Sequence, residues 1–401
     1  MKNSLFFITS KALSLLLVFL CTALIARELG PSDFGLFTEI KVYISVVFIV
    51  SLFGNDAHVI SLMGEENDKE KIFTIILARI SLFIILCIPG YFLFDFRYFL
   101  ALFLMYFFQL FNLSFLKLSA SKKGKVFFSF NVVAFLIVLL LGGVSEFYHY
   151  SLYLYFIPFY YFLLFILPIK LFANCISLVN LAVFFKYTKL IFMEVWPLIL
   201  SSLLIFFYTK IDFILISHFL PPKELGIYSV AVQLSEPFSF VISAYATSII
   251  SDLNLIKGNV LEKSRFISHK LRYIHGFVFF FLVFYFLFGD FLIETFFGNQ
   301  YESSYNFLLI LIFSKLFVFS NLFFSVIMVV ENNYLARLKR IFISMLIAIL
   351  ISIILIPNYG LYGAATSVVL SQLIAITFVN ALSRQTKDYY MIFVRSFIFW
   401  K

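Results

Sequence analysis

Charge is scarce in this chain: Asp, Glu, Lys and Arg make up 13% of its 401 residues and hydrophobic ones 63%. A soluble domain carries about 25% charge, so water is not the main solvent of this protein. Cysteine is almost absent. Cys21, Cys87 and Cys175 are odd in number and lack metal-ligand spacing, so neither a disulfide framework nor a metal site is expected. Cys21 does not complete a lipoprotein signal either, because bulky Leu20 precedes it. A GxxxxGK[ST] nucleotide loop, a GxSxG elbow, an HExxH pair and paired carboxylates on a sizeable exposed loop are all missing. The chain is therefore expected to be neither an ATPase nor another enzyme, and to carry no cofactor. Any directed work would draw on an Na+ or H+ gradient or on downhill removal of its cargo.

What is present is length after length of apolar residues. Runs of about 20 recur throughout, and a helix of that size rises roughly 30 Å, enough to cross a hydrocarbon core. Long unbroken runs exclude a barrel, whose strands alternate. The reading is an all-α integral membrane protein of about twelve transmembrane helices. Their expected spans are 5–27, 38–63, 72–94, 98–118, 126–145 and 150–172, then 191–219, 227–251, 271–297, 304–330, 335–356 and 360–382. The first span follows Lys2 and Lys11 but is too long for a secretory signal.

The net charge of +9 is spread between the apolar runs, which points to a membrane and not to nucleic acid. With the amino terminus in the cytoplasm, the inner loops hold clusters such as Lys117, Lys122, Lys123 and Lys125, or Arg337, Lys339 and Arg340. The outer turns hold little beyond Arg27, Arg97 and Lys223, so both termini are expected inside. The longest polar break, KLFANCISLVNLAVFFKYTK at 170–189, reads as an interfacial helix, with an ordinary apolar loop as the alternative. The expected division is a six-helix lobe at 1–173, a cytoplasmic linker at 174–190, a second six-helix lobe at 191–382 and a cytoplasmic tail at 383–401.

A faint internal repeat links the lobes: PSDFGLF at 31–37 matches PKELGIY at 222–228, an offset of 191 residues. Each copy sets Pro in a first helical turn, an acid near the helix amino end and a Gly where close packing is allowed. Six spans between them imply a parallel repeat.

Three stretches carry a family resemblance. ARELGPSDFGLF at 26–37, TKIDFILISHFLPPKELGIYSVAVQLSEP at 209–237 and IPNYGLYGAATSVVLSQL at 356–373 resemble, in order, bacterial polysaccharide flippases of the O-antigen transporter type. Those proteins belong to the multidrug/oligosaccharidyl-lipid/polysaccharide exporter superfamily. The resemblance implies the two-lobed MATE-like fold of the multidrug exporters, with a central cavity opening alternately to either face. The implied cargo is an undecaprenyl-diphosphate-linked oligosaccharide, moved from the cytoplasmic to the periplasmic leaflet of the bacterial inner membrane for O-antigen, lipopolysaccharide or a related surface polysaccharide. A polysaccharide polymerase and a chain-length regulator are the implied protein partners, beside membrane lipids.

Ionisable groups inside spans cost a few kcal/mol each and face a bundle interior or a watery cavity. The deeper ones are Arg79, Lys210, Asp212, Glu236 and Lys315, with Gln109, Asn112, Gln233, Asn321 and Gln372 as neutral companions. A diphosphate and its sugars need cations and hydrogen-bond partners in place of water. Lys210, Lys315 and Arg79 are candidates for the anion, with Asp212, Gln109 and Asn321 beside them in the cavity. The competing reading pairs Lys210 or Lys315 with Glu236 or Asp212 purely for packing. Glu236 precedes Pro237 in mid-span, and either serves as an ion or proton coupling site or accompanies a simple kink. Gly363, Ser367 and Ser371 recur every four residues and read as a packing face. Two other functions compete: a drug exporter on the same fold, expected to have a net acidic cavity, and a membrane polymerase or ligase, expected to have a large outer loop.

Overall fold

The computed structural model describes residues 2–52, 69–110, 124–145, 150–166, 181–249, 253, 260–331, 333–382 and 386–397. Asn112, Cys175 and positions 174–180 of the expected linker lie outside them. The described residues are helical and contain no strand. Seven stretches are long and apolar enough to cross a membrane, and three shorter apolar helices accompany them. Two of the seven, Ile8–Ser51 and Tyr334–Leu382, have 44 and 49 residues, too many for one crossing. Each is broken by a glycine of positive φ, Gly30 (73°) and Gly360 (57°), a conformation that an L side chain resists. Divided at these glycines, the described residues give nine stretches of spanning length, and three shorter apolar helices stand beside them. The chain is an all-α, multi-pass membrane protein.

The first compact unit comprises Met1–Leu29 and Phe37–Leu203. It holds most of α1 (Lys2–Ser51), α2 (Lys69–Leu93), α3 (Phe96–Leu110), α4 (Gly124–Ser145) and α5 (Phe156–Ile166), and the start of α6 (Leu181–Phe219). Its polar side chains sit inside. Asn131 Oδ1 accepts from Tyr160 OH at 2.7 Å and from Ser14 Oγ at 3.0 Å, while its Nδ2 donates to the Phe127 carbonyl. That triad ties α1, α4 and α5 together through groups that lipid could not solvate. Outward the unit shows Phe92, 79% exposed, and Leu140, 71% exposed, whereas Asn131 is 0% exposed. This is the inverse of a soluble domain, and it follows from a hydrocarbon solvent.

The second unit comprises Gly30–Leu36 and Leu204–Lys401. The helix α6 begins at Leu181, inside the segment expected to be a linker, and continues past the unit boundary without a break. It is followed by α7 (Pro222–Ser235), α8 (Pro237–Ser248), α9 (Val260–Phe297), α10 (Ser304–Val330), α11 (Tyr334–Ile374) and, after a π-helical turn at Ala375–Val379, α12 (Lys387–Phe397). The central element is α10, which packs on α7, α8, α9 and α11. Around Gly360 the helix α11 doubles back, since Ser352 Oγ donates to Ser367 Oγ across the bend at 3.0 Å. Gly363 permits this approach, for a Cβ there would strike the Leu355 carbonyl.

The proline and glycine of both repeat copies lie in this unit and touch each other reciprocally. A Cβ on Gly35 would collide with the Pro222 carbonyl, and one on Gly226 with the Pro31 carbonyl. Each glycine of the pattern P-x-x-x-G is thus required by the proline of the other copy. At the end of the chain, within the expected tail, α12 buries Tyr389, Ile392, Phe393 and Ser396 while Lys387, Asp388 and Arg395 stay exposed. Glu331 fastens it: Tyr389 OH donates to Oε2 at 2.7 Å, and Lys263 of α9 pairs with Oε1.

Candidate functional site

A cavity of about 310 Å³ opens within the second unit, at the lower end of the ~300–1,000 Å³ range of small-molecule sites. Its walls come from α6, the α7–α8 junction, α10 and both arms of α11. The junction forms because Pro237 has no N–H to continue the helix. The chain stays near helical at Glu236 (φ −77°, ψ −34°), whose N–H still reaches the Val232 carbonyl. The kink leaves the Glu236 carboxylate pointing into the cavity, 50% exposed.

Four of the predicted ionisable residues meet here. Lys210, Asp212, Glu236 and Lys315 all line the cavity, although they come from three segments far apart in sequence. Lys210 Nζ pairs with Glu236 Oε1 at 2.5 Å and lies 4.8 Å from the Phe213 ring centroid. Asp212, 5% exposed, accepts from Tyr228 OH at 2.6 Å and from the Phe213 N–H at 3.0 Å. Both carboxylates are therefore engaged. Among the described residues, Lys315 makes no ion pair within 4 Å. It also borders a narrow aromatic cleft with Phe238, Phe281 and Phe319, which suits its apolar stem.

The remaining polar lining consists mostly of hydroxyls. Ser235, Ser314, Ser367 and Ser371 each donate to a carbonyl three residues back on their own helix, at 2.6–3.1 Å. That geometry spends the hydroxyl hydrogen and leaves oxygen lone pairs for a ligand. The site thus offers acceptors from serines and the Glu236 carboxylate, and donors from ammonium groups. Such a lining suits a ligand with many hydroxyls and an anionic group.

Other predicted positions fall elsewhere. Arg79, 2% exposed, and Gln109 belong to α2 and α3 of the first unit and do not line this cavity. Asn321 stands behind its wall, where Nδ2 donates to the carbonyl and Oε1 of Gln372, which does line it. Glu236 is both a kink residue and an ion-pair partner of Lys210, so packing and cavity roles coincide. The expected packing face divides: Gly363 packs, while Ser367 and Ser371 reach the cavity. Tyr228, the partner of Asp212, was not anticipated. Its place in the second copy of the repeat, 16 residues after Asp212, gave no sign of a shared site until the helices were placed.

Known proteins agree with this picture. The fold is shared with the lipid II flippase MurJ in an inward closed conformation, at a TM-score of 0.73 and 16% identity, covering 99% of this chain and 90% of that one. An inward-facing multidrug resistance transporter of the MATE family, in the MOP superfamily, superposes at 0.63 with 13% identity, covering 95% and 94% of the two chains. In sequence, the capsular polysaccharide biosynthesis protein CapF of Staphylococcus aureus is 29% identical over 195 residues, 47% of this chain. The match spans about half of that relative, 48% of its length. The profile of the family described as polysaccharide biosynthesis protein matches residues 1–250, more than half of the chain. With the MATE-like, all-helical architecture described above, this chain belongs to the polysaccharide biosynthesis protein family.

Proposed function

We propose that this protein carries a lipid-linked oligosaccharide, on an undecaprenyl diphosphate carrier, from the cytoplasmic to the periplasmic leaflet for a surface polysaccharide such as O-antigen or capsule. The carrying observation is a hydroxyl-lined cavity with two lysines inside an otherwise apolar bundle. In hydrocarbon such groups are retained where they replace the water of a polar cargo. Family membership supports a polysaccharide cargo, and the fold shared with a lipid II flippase supports movement of a lipid-linked one. The cavity acids are matched by Lys210 and Lys315, which favours a saccharide with an anionic group over an organic cation. Direction comes from an Na+ or H+ gradient or from consumption of the delivered saccharide. The charge bias of the loops supports both termini in the cytoplasm.

The test is deletion of the gene in its host, followed by assay of the leaflet on which the lipid-linked repeat unit gathers. Accumulation in the cytoplasmic leaflet is expected. Accumulation in the outer leaflet would overturn the proposal and favour a polymerase.

A further inference from the structure

The polar lining does not stop at the cavity. On α11, Arg340, Ser344, Ala348 and Ser352 follow one another at intervals of four and share one helix face. The last two line the cavity and the first two continue beyond it. On α10, Ser314 and Val318 line the cavity, and Asn321 and Ser325 extend the same face. On α6, Tyr208 and Asp212 are one turn apart and both belong to the cavity wall.

These three faces converge on Arg340. Its side chain is 6% exposed, and Nη2 donates to the Asn321 carbonyl at 2.9 Å and to Ser325 Oγ at 2.5 Å. Nη1 is enclosed and has no hydrogen-bond partner among the described residues. The same holds for Ser344 Oγ and the Tyr208 hydroxyl. Tyr208 lies within electrostatic reach of Arg340 and its hydroxyl is within hydrogen-bonding reach of the Ser344 side chain, and it packs on the α11 cluster of Ile341 and Met345. Among the described residues no carboxylate comes within 4 Å of the guanidinium. A buried guanidinium lacking an anion, with one nitrogen unpartnered and two hydroxyls beside it, is costly in lipid unless another state supplies the partner.

The geometry points to an oxyanion subsite made by Arg340, Tyr208 and Ser344, which takes the diphosphate of the lipid carrier while the hydroxyl-lined cavity takes its sugars. The inference rests on the lipid-linked cargo proposed above. The planar guanidinium fork matches the paired oxygens of a phosphate, and two hydroxyl donors complete its coordination. Tyr208 is the shared wall. Its turning away from α11 would join the subsite to the cavity, and no other described residue belongs both to the lining and to this unpartnered group.

The full-length protein in nanodiscs is titrated with undecaprenyl diphosphate, with undecaprenol and with inorganic pyrophosphate. Wild type should prefer undecaprenyl diphosphate to undecaprenol by about tenfold or more, the worth of one charge-assisted hydrogen bond. R340Q should lose most of that preference, R340K should keep part, and the double variant Y208F/S344A should lose about half of it on a logarithmic scale. An unchanged preference in R340Q overturns the subsite. If R340Q does not fold, an unchanged preference in Y208F/S344A does so. Pyrophosphate binding that depends on Arg340, with no preference between the two lipids, would make the ligand a soluble anion and overturn the assignment to the carrier. The leaflet assay is separate. Loss of preference in R340Q beside a negative leaflet assay supports the subsite and removes the flippase reading, whereas the opposite pair of results removes only the subsite.

Discussion

At the scale of single residues, the cavity is organised by how its four charges are satisfied. Lys210 is held by Glu236 and Asp212 by Tyr228, which leaves Lys315 as the ammonium most available to an incoming anion. K315E should therefore reduce translocation of the lipid-linked saccharide by about tenfold or more while the protein still inserts, and K315R should retain most of the rate. Wild-type transport by K315E would remove Lys315 from the site. K210E should also fail, for a different reason, since two carboxylates would then face each other at the kink. The double exchange K210E/E236K restores the pair and should recover part of the rate. Tyr228→Phe leaves the buried Asp212 with one hydrogen bond fewer, a loss of about 1.5–3 kcal/mol for a bond to a charged group. A fall in thermal unfolding temperature in detergent would register it, and an unchanged one would mean that Asp212 finds another donor.

At the scale of elements, the reciprocal contact of the two repeat copies is a backbone-to-backbone approach that only glycine allows. Because the obstacles are backbone carbonyls, G35A or G226A has to displace a helix, at an overpacking cost of about 1–3 kcal/mol. Each variant should unfold at lower temperature than wild type, and equal stability would show that the helices can slide apart freely. The amphipathic helix α12 depends on Glu331, which receives Tyr389 and Lys263 together. Burial, then the neighbouring Glu331 carboxylate, raise the Tyr389 phenol above its ordinary range. A group raised on folding stabilises fully below its unfolded value, about 10 for tyrosine, and that contribution fades as pH climbs past it. Limited proteolysis of α12 should accelerate above about pH 10 in wild type. In Y389F the contribution is absent at every pH, so cleavage should be faster already at neutral pH and less dependent on pH.

At the scale of the whole molecule, hydrocarbon as solvent explains why large apolar side chains such as Phe92 and Leu335, 79% and 78% exposed, face outward while Asn131 and Ser320 are fully enclosed. The same solvent makes loop charge a guide to orientation. A cysteine placed at either terminus should react with a membrane-permeant maleimide and resist an impermeant one in intact cells. Labelling of either end by the impermeant reagent would overturn the topology proposed from loop charge.

Much of this architecture was legible before any coordinates. About twelve crossings are expected from apolar length, because the bilayer sets one thickness that every helix must match, and the described residues are helical throughout with stretches of that length. The glycines of PSDFGLF and PKELGIY were legible as packing positions, but not as each other's partners, since 191 intervening residues carry no distance information. Lys210, Asp212, Glu236 and Lys315 stood out singly, because any charge in an apolar run is costly. Which of them pair was decided only by helix rotation: Asp212 faces Tyr228, Lys210 crosses to Glu236, and Asn321 turns to Gln372 behind the wall. In sequence Arg340 is one more basic residue of an expected inner loop, whereas the structure encloses it on the polar face of α11. The sequence by itself thus determines the solvent and the multi-pass helical class, for both depend on composition and on the length of apolar runs along the chain. The site depends on which faces of distant helices meet, and only tertiary packing fixes that.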